Sequence, residues 1–174
     1  MNAAASVIRP TGRLLDPLPP VRGRYAEGVA LAAMTWFRVG GAAEVMFRPA
    51  DRDDLVDFLR ERPREVPLTV LGVGSNSLVR DGGIAGVVIR LGRNFAAIVV
   101  GEGEVEAGAG ALDVNVALAA RDKGVAGLEF LRGVPGTIGG ALRMNAGAYG
   151  RETADVTLAA EAVDAEGEVR RLKP

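Results

Sequence analysis

The sequence predicts an α+β domain built in two layers, and three observations support this class. Runs of strand-like residues outnumber the segments with helical periodicity. Short turns that contain glycine separate several neighbouring strands and predict local hairpins. A single β-α-β unit over residues 43–71 adds a parallel pair of strands. Such a mixture of helices and locally paired strands is typical of the α+β class.

The N-terminal region is predicted to be an arm. The first twenty residues contain four of the nine prolines and show little periodicity, which indicates extended chain. A short helix is predicted over residues 24–33. The arm, residues 1–33, therefore precedes the domain, and the part before Leu31 is expected to be dispensable for the fold.

The remaining elements follow from periodicity and from residues that begin or end them. Asp51 is placed to cap the first helix after Pro49 ends a strand, and Gly124 is placed to end the second helix. The elements, in order, are a strand at 43–48, a helix at 53–61, strands at 68–71 and 86–91, a hairpin at 95–107, a helix at 112–123, a short helix at 137–144 and a hairpin at 157–172 that turns at 165–167.

The composition excludes several classes of function. The chain has no cysteine and no histidine, which removes disulfides, the usual zinc ligands and the Ser-His-Asp triad. Its net charge of −1 provides no field to attract nucleic acid or an anionic membrane. No apolar run has the length of a membrane span or of a signal peptide. We therefore assign no metal site, expect no nucleic-acid or membrane partner, and expect a cytoplasmic location.

Glycine is enriched in two loops that could bind an anion. The 24 glycines are about twice the usual share of roughly 7%. Residues 72–77 read Gly-Val-Gly-Ser-Asn-Ser after a buried strand, and residues 133–140 read Gly-Val-Pro-Gly-Thr-Ile-Gly-Gly. Successive backbone N–H groups in such loops form a positive concavity. The residues alone leave two interpretations open, namely nucleotide or anion binding and purely structural turns.

Two familiar nucleotide motifs do not fit. A dinucleotide fingerprint requires a third glycine where Ser77 stands, and a helix directly after it. A Walker loop requires Gly-Lys, and the lysines at 123 and 173 lie outside both loops. Outside these loops, Trp36 and Phe37 are predicted to be core anchors, because large aromatic side chains are usually buried.

Three ordered motifs are specific enough to indicate a family. They read Thr-Trp-Phe-Arg-Val-Gly-Gly at 35–41, Leu-Gly-Val-Gly-Ser-Asn at 71–76, and Gly-Val-Pro-Gly-Thr-Ile-Gly-Gly-Ala-Leu-Arg-Met-Asn-Ala-Gly-Ala-Tyr-Gly at 133–150. From about residue 34 onward, the chain resembles the UDP-N-acetylenolpyruvoylglucosamine reductases of peptidoglycan synthesis. The resemblance implies an FAD-binding domain of the vanillyl-alcohol oxidase and p-cresol methylhydroxylase type. Its two α+β subdomains would be residues 34–92 and 93–174, the second incomplete at its C-terminal end.

The resemblance also implies which residues hold the cofactor. Residues 72–77 would bind the FAD pyrophosphate, residues 135–140 would cover its other side, and residues 145–149 would lie near the flavin. The implied cofactor-binding residues are Gly72, Val73, Gly74, Ser75, Asn76, Ser77, Pro135, Gly136, Thr137, Ile138, Gly139, Gly140, Asn145, Ala146, Gly147, Ala148 and Tyr149. Bare backbone there would leave space for the cofactor.

The implied reaction is a hydride relay in which NADPH reduces the flavin and the flavin reduces the enolpyruvyl group of a UDP-sugar. The family's catalytic residues are an arginine in a Tyr-Arg-x-Ser segment, a serine and a glutamate, and this sequence lacks those motifs. We therefore assign no catalytic residue and expect an inactive fragment without the C-terminal substrate domain. The alternatives are another flavin oxidoreductase of the same superfamily and a non-enzymatic nucleotide-binding module.

Overall fold

A computed structural model describes residues 13–173 and contains one four-stranded sheet and three two-stranded ribbons in that range. The sheet runs in the order β1 (Arg24–Ala30), β2 (Ala42–Arg48), β4 (Ile84–Ile89) and β3 (Leu68–Val70). Strands β2, β4 and β3 are parallel, whereas β1 is antiparallel to β2. The parallel strands therefore end at the same edge of the sheet, where the chain continues into the glycine loop after β3.

Helix α1 (Arg52–Glu61) covers one face of this sheet. Asp51 caps it as predicted, since its carboxylate accepts a hydrogen bond of 3.0 Å from the Asp54 N–H. The residues buried between α1 and the sheet are Val45, Phe47, Phe58, Leu59, Val66, Val87 and Ile89. The opposite face buries Leu31, Ala43, Met46, Leu71, Val79 and Val88. This two-sided burial explains the continuous apolar runs of β2 and β4.

The predicted helix at 24–33 is wrong, because residues 24–30 form the edge strand β1. Gly28 has a φ of +62°, which a helix does not tolerate. The Tyr25 ring packs 5.3 Å from the Phe47 ring, centroid to centroid. Asp54 is buried, and its carboxylate accepts hydrogen bonds from the N–H groups of Arg22 and Gly23. The arm predicted up to residue 33 therefore includes a strand of the main sheet.

Removal of residues 1–30 should destabilise the protein, contrary to the sequence-based expectation. The deletion removes β1 together with the N–H groups of Arg22 and Gly23, and leaves the Asp54 carboxylate with the N–H of Ala50, 2.8 Å away. Each lost hydrogen bond to a charged group costs about 1.5–3 kcal/mol. We expect the free energy of unfolding in urea to fall by more than about 3 kcal/mol. An unchanged unfolding midpoint would contradict the role given to β1.

The second half of the chain builds a separate core. It contains the hairpin of β5 (Ile98–Val100) and β6 (Val105–Ala107), helix α2 (Asp113–Asp122) and helix α3 (Ile138–Met144). Gly124, with a φ of +71°, follows the end of α2 as predicted. The buried residues of this core are Ala111, Val116, Ala117, Phe130, Leu131, Val134 and Ala141. The division into subdomains at residue 92 stays a prediction.

Two further ribbons complete the chain. Strand β7 (Gly147–Ala148) pairs with β8 (Arg151–Glu152), and β9 (Ala160–Val163) pairs with β10 (Val169–Leu172). The last hairpin turns where predicted, and its Gly167 lies against α1, with Val163 packed on the first core. The C-terminal hairpin therefore contacts the first half of the chain. No helix within residues 13–173 has the length and apolarity to cross a bilayer.

Candidate functional site

The first glycine loop presents a run of backbone donors at the carboxyl edge of the sheet. Leu71 still belongs to the sheet, since its N–H donates to the Ile89 carbonyl over 3.0 Å. The N–H groups of the next five residues, 72–76, donate no backbone hydrogen bond within residues 13–173, and the N–H of Ser77 closes a turn at residues 75–76. Consecutive N–H groups without acceptors are suited to bind an anion. The sequence predicted this loop, and the structure adds that five of its donors have no backbone acceptor in the described chain.

The second loop lies against the first. The Ser75 hydroxyl donates to the Pro135 carbonyl over 2.6 Å. The N–H groups of Ile138 and Gly139 donate to the carbonyls of residues 111 and 109, both over 2.9 Å. These bonds fix the second loop on the segment before α2. The N–H groups of Gly136 and Thr137 donate to no acceptor in the described chain. Two of the three predicted sets of residues are therefore adjacent.

Gly72 and Gly74 of the first loop differ in what surrounds the position of a side chain. A Cβ on Gly74 would lie 2.7 Å from the Met34 carbonyl oxygen and 2.9 Å from the Thr35 Cα, and the residue has a φ of +68°. The expectation that glycine 74 leaves space for a ligand is therefore wrong, because neighbouring backbone occupies that space. A Cβ on Gly72 would contact the Thr137 hydroxyl oxygen at 3.0 Å and no other atom within 4 Å in the described chain. Gly72 therefore meets one side-chain atom and no backbone at this position.

The third predicted set, residues 145–149, lies beyond α3. The Asn145 side-chain oxygen accepts a hydrogen bond from the Ala154 N–H over 2.8 Å, and Asn145 has a φ of +46°. Tyr149 is 84% exposed, and its ring lies beside Gly133. Within residues 13–173, no hydrogen bond joins this set to residues 72–77. A role for residues 145–149 in flavin binding stays a prediction.

Asp113 is a buried acid that sequence reasoning missed. Its side chain is fully buried at the start of α2, and neither carboxylate oxygen has a hydrogen-bond partner within the described chain. A Cβ on Gly136 would lie 3.0 Å from one of these oxygens. Burial raises the pKa of Asp113 from 3.8 to about 6. An acid in the first turn of a helix is common, so the sequence carried no signal of this environment.

The stability of the protein should therefore depend on the protonation of Asp113. Its folded-state pKa lies above the ordinary value, so its contribution is full below pH 3.8 and is lost as the pH rises through about 6. The ionised form costs about 3 kcal/mol. In urea unfolding, the stability of the wild type relative to Asp113→Asn should fall by about that amount between pH 4 and pH 7. A difference that is constant over this range would contradict the assignment.

An open cavity lies beside the first loop, at the same edge of the sheet. Its volume is about 670 Å³, and its lining residues are Ala33, Met34, Thr35, Trp36, Arg38, Arg48, Val73 and Arg90. Trp36 and Phe37 are about 60% exposed, so their prediction as core anchors is wrong. The short helix Ala32–Met34 turns the chain outward after Leu31, which occupies the core position.

Arg48 and Arg90 are the second feature that sequence reasoning missed. Each directly follows the apolar run of a parallel strand, β2 and β4 respectively. Residues at the carboxyl ends of parallel strands line the ligand crevice in many α/β sheets. Once the parallel pairing of β2 with β4 is known, the position of these two arginines in the sequence indicates a ligand site. Burial and the nearby Arg48 lower the pKa of Arg90.

Comparison with known proteins identifies the fold and its relatives. The FAD binding domain family matches residues 43–173. The UDP-N-acetylenolpyruvoylglucosamine reductase of Parvibaculum lavamentivorans is 60% identical over 157 residues, 90% of this chain and 51% of that protein. The Rhodospirillum rubrum reductase of the same name is 62% identical over 162 residues, 92% of this chain and 50% of that protein. The resemblance found in the three motifs is confirmed.

Solved structures agree. The UDP-N-acetylenolpyruvylglucosamine reductase of Thermus caldophilus superposes with a TM-score of 0.72 at 34% identity, covering 87% of this chain and 52% of that one. The 6-hydroxy-D-nicotine oxidase of Arthrobacter nicotinovorans superposes with a TM-score of 0.67 at 20% identity, covering 88% of this chain and 36% of that one. It therefore shares the fold. The chain spans about half the length of the curated relatives it matches. Because the family match covers most of the sequence, the chain belongs to the FAD-binding domain family and has the α+β fold predicted for it.

Proposed function

We propose that this chain is the flavin-binding part of an NADPH-dependent UDP-N-acetylenolpyruvoylglucosamine reductase. The observation that carries the proposal is the run of five N–H groups without backbone acceptors at residues 72–76 of the described chain. A diphosphate offers the charged acceptors that such donors require. Relatives near 60% identity, named as this reductase, favour it over other flavin enzymes of the fold.

The residues present fit the diphosphate of FAD. The N–H groups of residues 72–76 would hold it from one side, and those of Gly136 and Thr137 from the adjacent loop. The hydrogen bond from the Ser75 hydroxyl to the Pro135 carbonyl holds the two loops together. When bound, FAD supplies the hydride chemistry between NADPH and the enolpyruvyl group of the UDP-sugar. The contribution of this chain is to bind and orient the cofactor.

The non-enzymatic alternative has one observation in its favour. Gly74 is required by the backbone of Met34 and Thr35 and needs no ligand to explain it. That explanation does not extend to Gly72, whose Cβ would meet no backbone atom, or to the N–H groups of residues 72–76, which have no backbone acceptor in the described chain. The cytoplasmic location and the UDP-sugar partner stay predictions that accompany the proposed activity.

Titration of the purified chain with FAD tests the proposal. We expect quenching of flavin fluorescence that saturates at one FAD per chain, and a gain in thermal stability that grows with FAD concentration. Riboflavin, which lacks the diphosphate, is the matched control and should bind far more weakly. Equal binding of riboflavin and FAD would show that the diphosphate is not recognised.

A further inference from the structure

The cavity beside the first loop, which we call the arginine cavity, is lined by arginine side chains that form no ion pair with an acidic side chain of the described residues. Arg38, Arg48 and Arg90 all line it. Within residues 13–173 these three side chains make no ion pair with Asp or Glu. Residues 1–12 contain no acidic side chain that could supply one. By contrast, Arg22, Arg60 and Arg64 on the other parts of the surface pair with carboxylates.

Two buried donors in the arginine cavity also have no partners. The Nη1 of Arg90 and the hydroxyl of Thr35 are buried and have no hydrogen-bond partner within the described chain. A buried donor without an acceptor costs about 1–3 kcal/mol. The nearby positive charge of Arg48 adds repulsion, which is also the second cause of the lowered pKa of Arg90. An anion in the cavity would offset the repulsion between the Arg48 and Arg90 guanidinium groups.

We propose that the arginine cavity binds a phosphate group of a nucleotide. Guanidinium groups present forked donors that match phosphate oxygens. The exposed Trp36 indole lines the same cavity and offers a face on which a base can stack. The volume of about 670 Å³ lies within the range typical of small-molecule sites. A phosphate group is therefore a better match than a lone carboxylate.

This inference goes beyond the proposed function, because it does not require flavin on residues 72–77. Val73 belongs to the first loop and also lines the arginine cavity, so the two sites adjoin. The phosphate has two sources that share one chemistry. It belongs either to the cofactor bound at the loop or to a second nucleotide that binds beside it.

Inorganic diphosphate is the probe, and Trp36 is the reporter. The chain contains a single tryptophan, so its emission reports on this cavity and on the adjoining first loop. We expect diphosphate to change the Trp36 emission and to give a saturable calorimetric signal. Titrations in the Gly72→Val background, which obstructs the first loop, should give the same result. Absence of any signal in both methods up to about 10 mM diphosphate would overturn the proposal.

Arg48→Gln and Arg90→Gln should each weaken diphosphate binding by about tenfold or more. Arg121→Gln is the matched control, since Arg121 is an exposed arginine on α2, paired with Asp122. Circular dichroism establishes that the variants are folded. Affinities within about twofold of wild type in the folded variants would overturn the proposal. If it holds, loss of diphosphate binding after saturation with FAD assigns the cavity to the cofactor, and retention assigns it to a second nucleotide.

Discussion

Gly72→Val should lower the affinity for FAD by about 100-fold or more and leave the fold intact. The valine side chain would project from the loop whose N–H groups are free, with only the Thr137 hydroxyl oxygen within 4 Å of its Cβ in the described chain. Loss of two charge-assisted hydrogen bonds, at about 1.5–3 kcal/mol each, is sufficient for this change. Flavin fluorescence titration measures the affinity.

Gly82→Val is the matched control for this prediction. A Cβ on Gly82 meets no atom of the described chain within 4 Å, and the residue precedes β4, at the opposite end of that strand from Arg90. The control should bind FAD as the wild type does. If Gly72→Val also binds FAD normally, the cofactor does not lie on this loop. Urea unfolding of both variants establishes that any loss is a loss of binding.

Gly74→Val should unfold the protein or lower its free energy of unfolding by about 3–5 kcal/mol. The Cβ would lie 2.7 Å from the Met34 carbonyl oxygen, and the residue has a φ of +68°. Overpacking costs about 1–3 kcal/mol and left-handed strain in a β-branched residue adds a similar amount. The N–H of Trp36 donates to the Gly74 carbonyl over 3.1 Å, so the displaced backbone would also lose this bond.

Gly103→Val separates the effect of the steric clash from the effect of the left-handed backbone conformation. Gly103 has a φ of +79°, but a Cβ there meets no atom of the described chain within 4 Å. This variant therefore carries the left-handed strain without the clash, and we expect it to cost less than Gly74→Val in urea unfolding. Equal losses in the two variants would show that contact with Met34 and Thr35 does not determine the choice of glycine at position 74.

Local signals in the sequence predicted most of the fold. Asp51 and Gly124 mark the ends of helices through hydrogen bonds and dihedral angles that involve a few neighbouring residues. The strand β1 was mistaken for a helix because its stabilisation is not local. It depends on pairing with β2 and on the Asp54 carboxylate, 31 residues from Gly23. The exposure of Trp36 likewise depends on Leu31 already filling the core.

The candidate site was predictable in its glycine loops and not in its charges. The loops are contiguous in sequence, so their composition was sufficient to identify them. Arg48 and Arg90 come together only through the pairing of β2 with β4. Asp113 becomes an uncompensated acid only when the second loop covers the start of α2. Such pairs depend on tertiary contacts, which a single sequence does not record.

The central claim is that the backbone N–H groups of residues 72–76 hold the FAD diphosphate. Amide proton and nitrogen chemical shifts of the ¹⁵N-labelled chain, recorded with and without FAD, test this claim most directly. We expect large changes at consecutive residues of this loop, with the proton signals moving downfield as they gain charged acceptors. Saturation with FAD that leaves these five signals in place would contradict the claim.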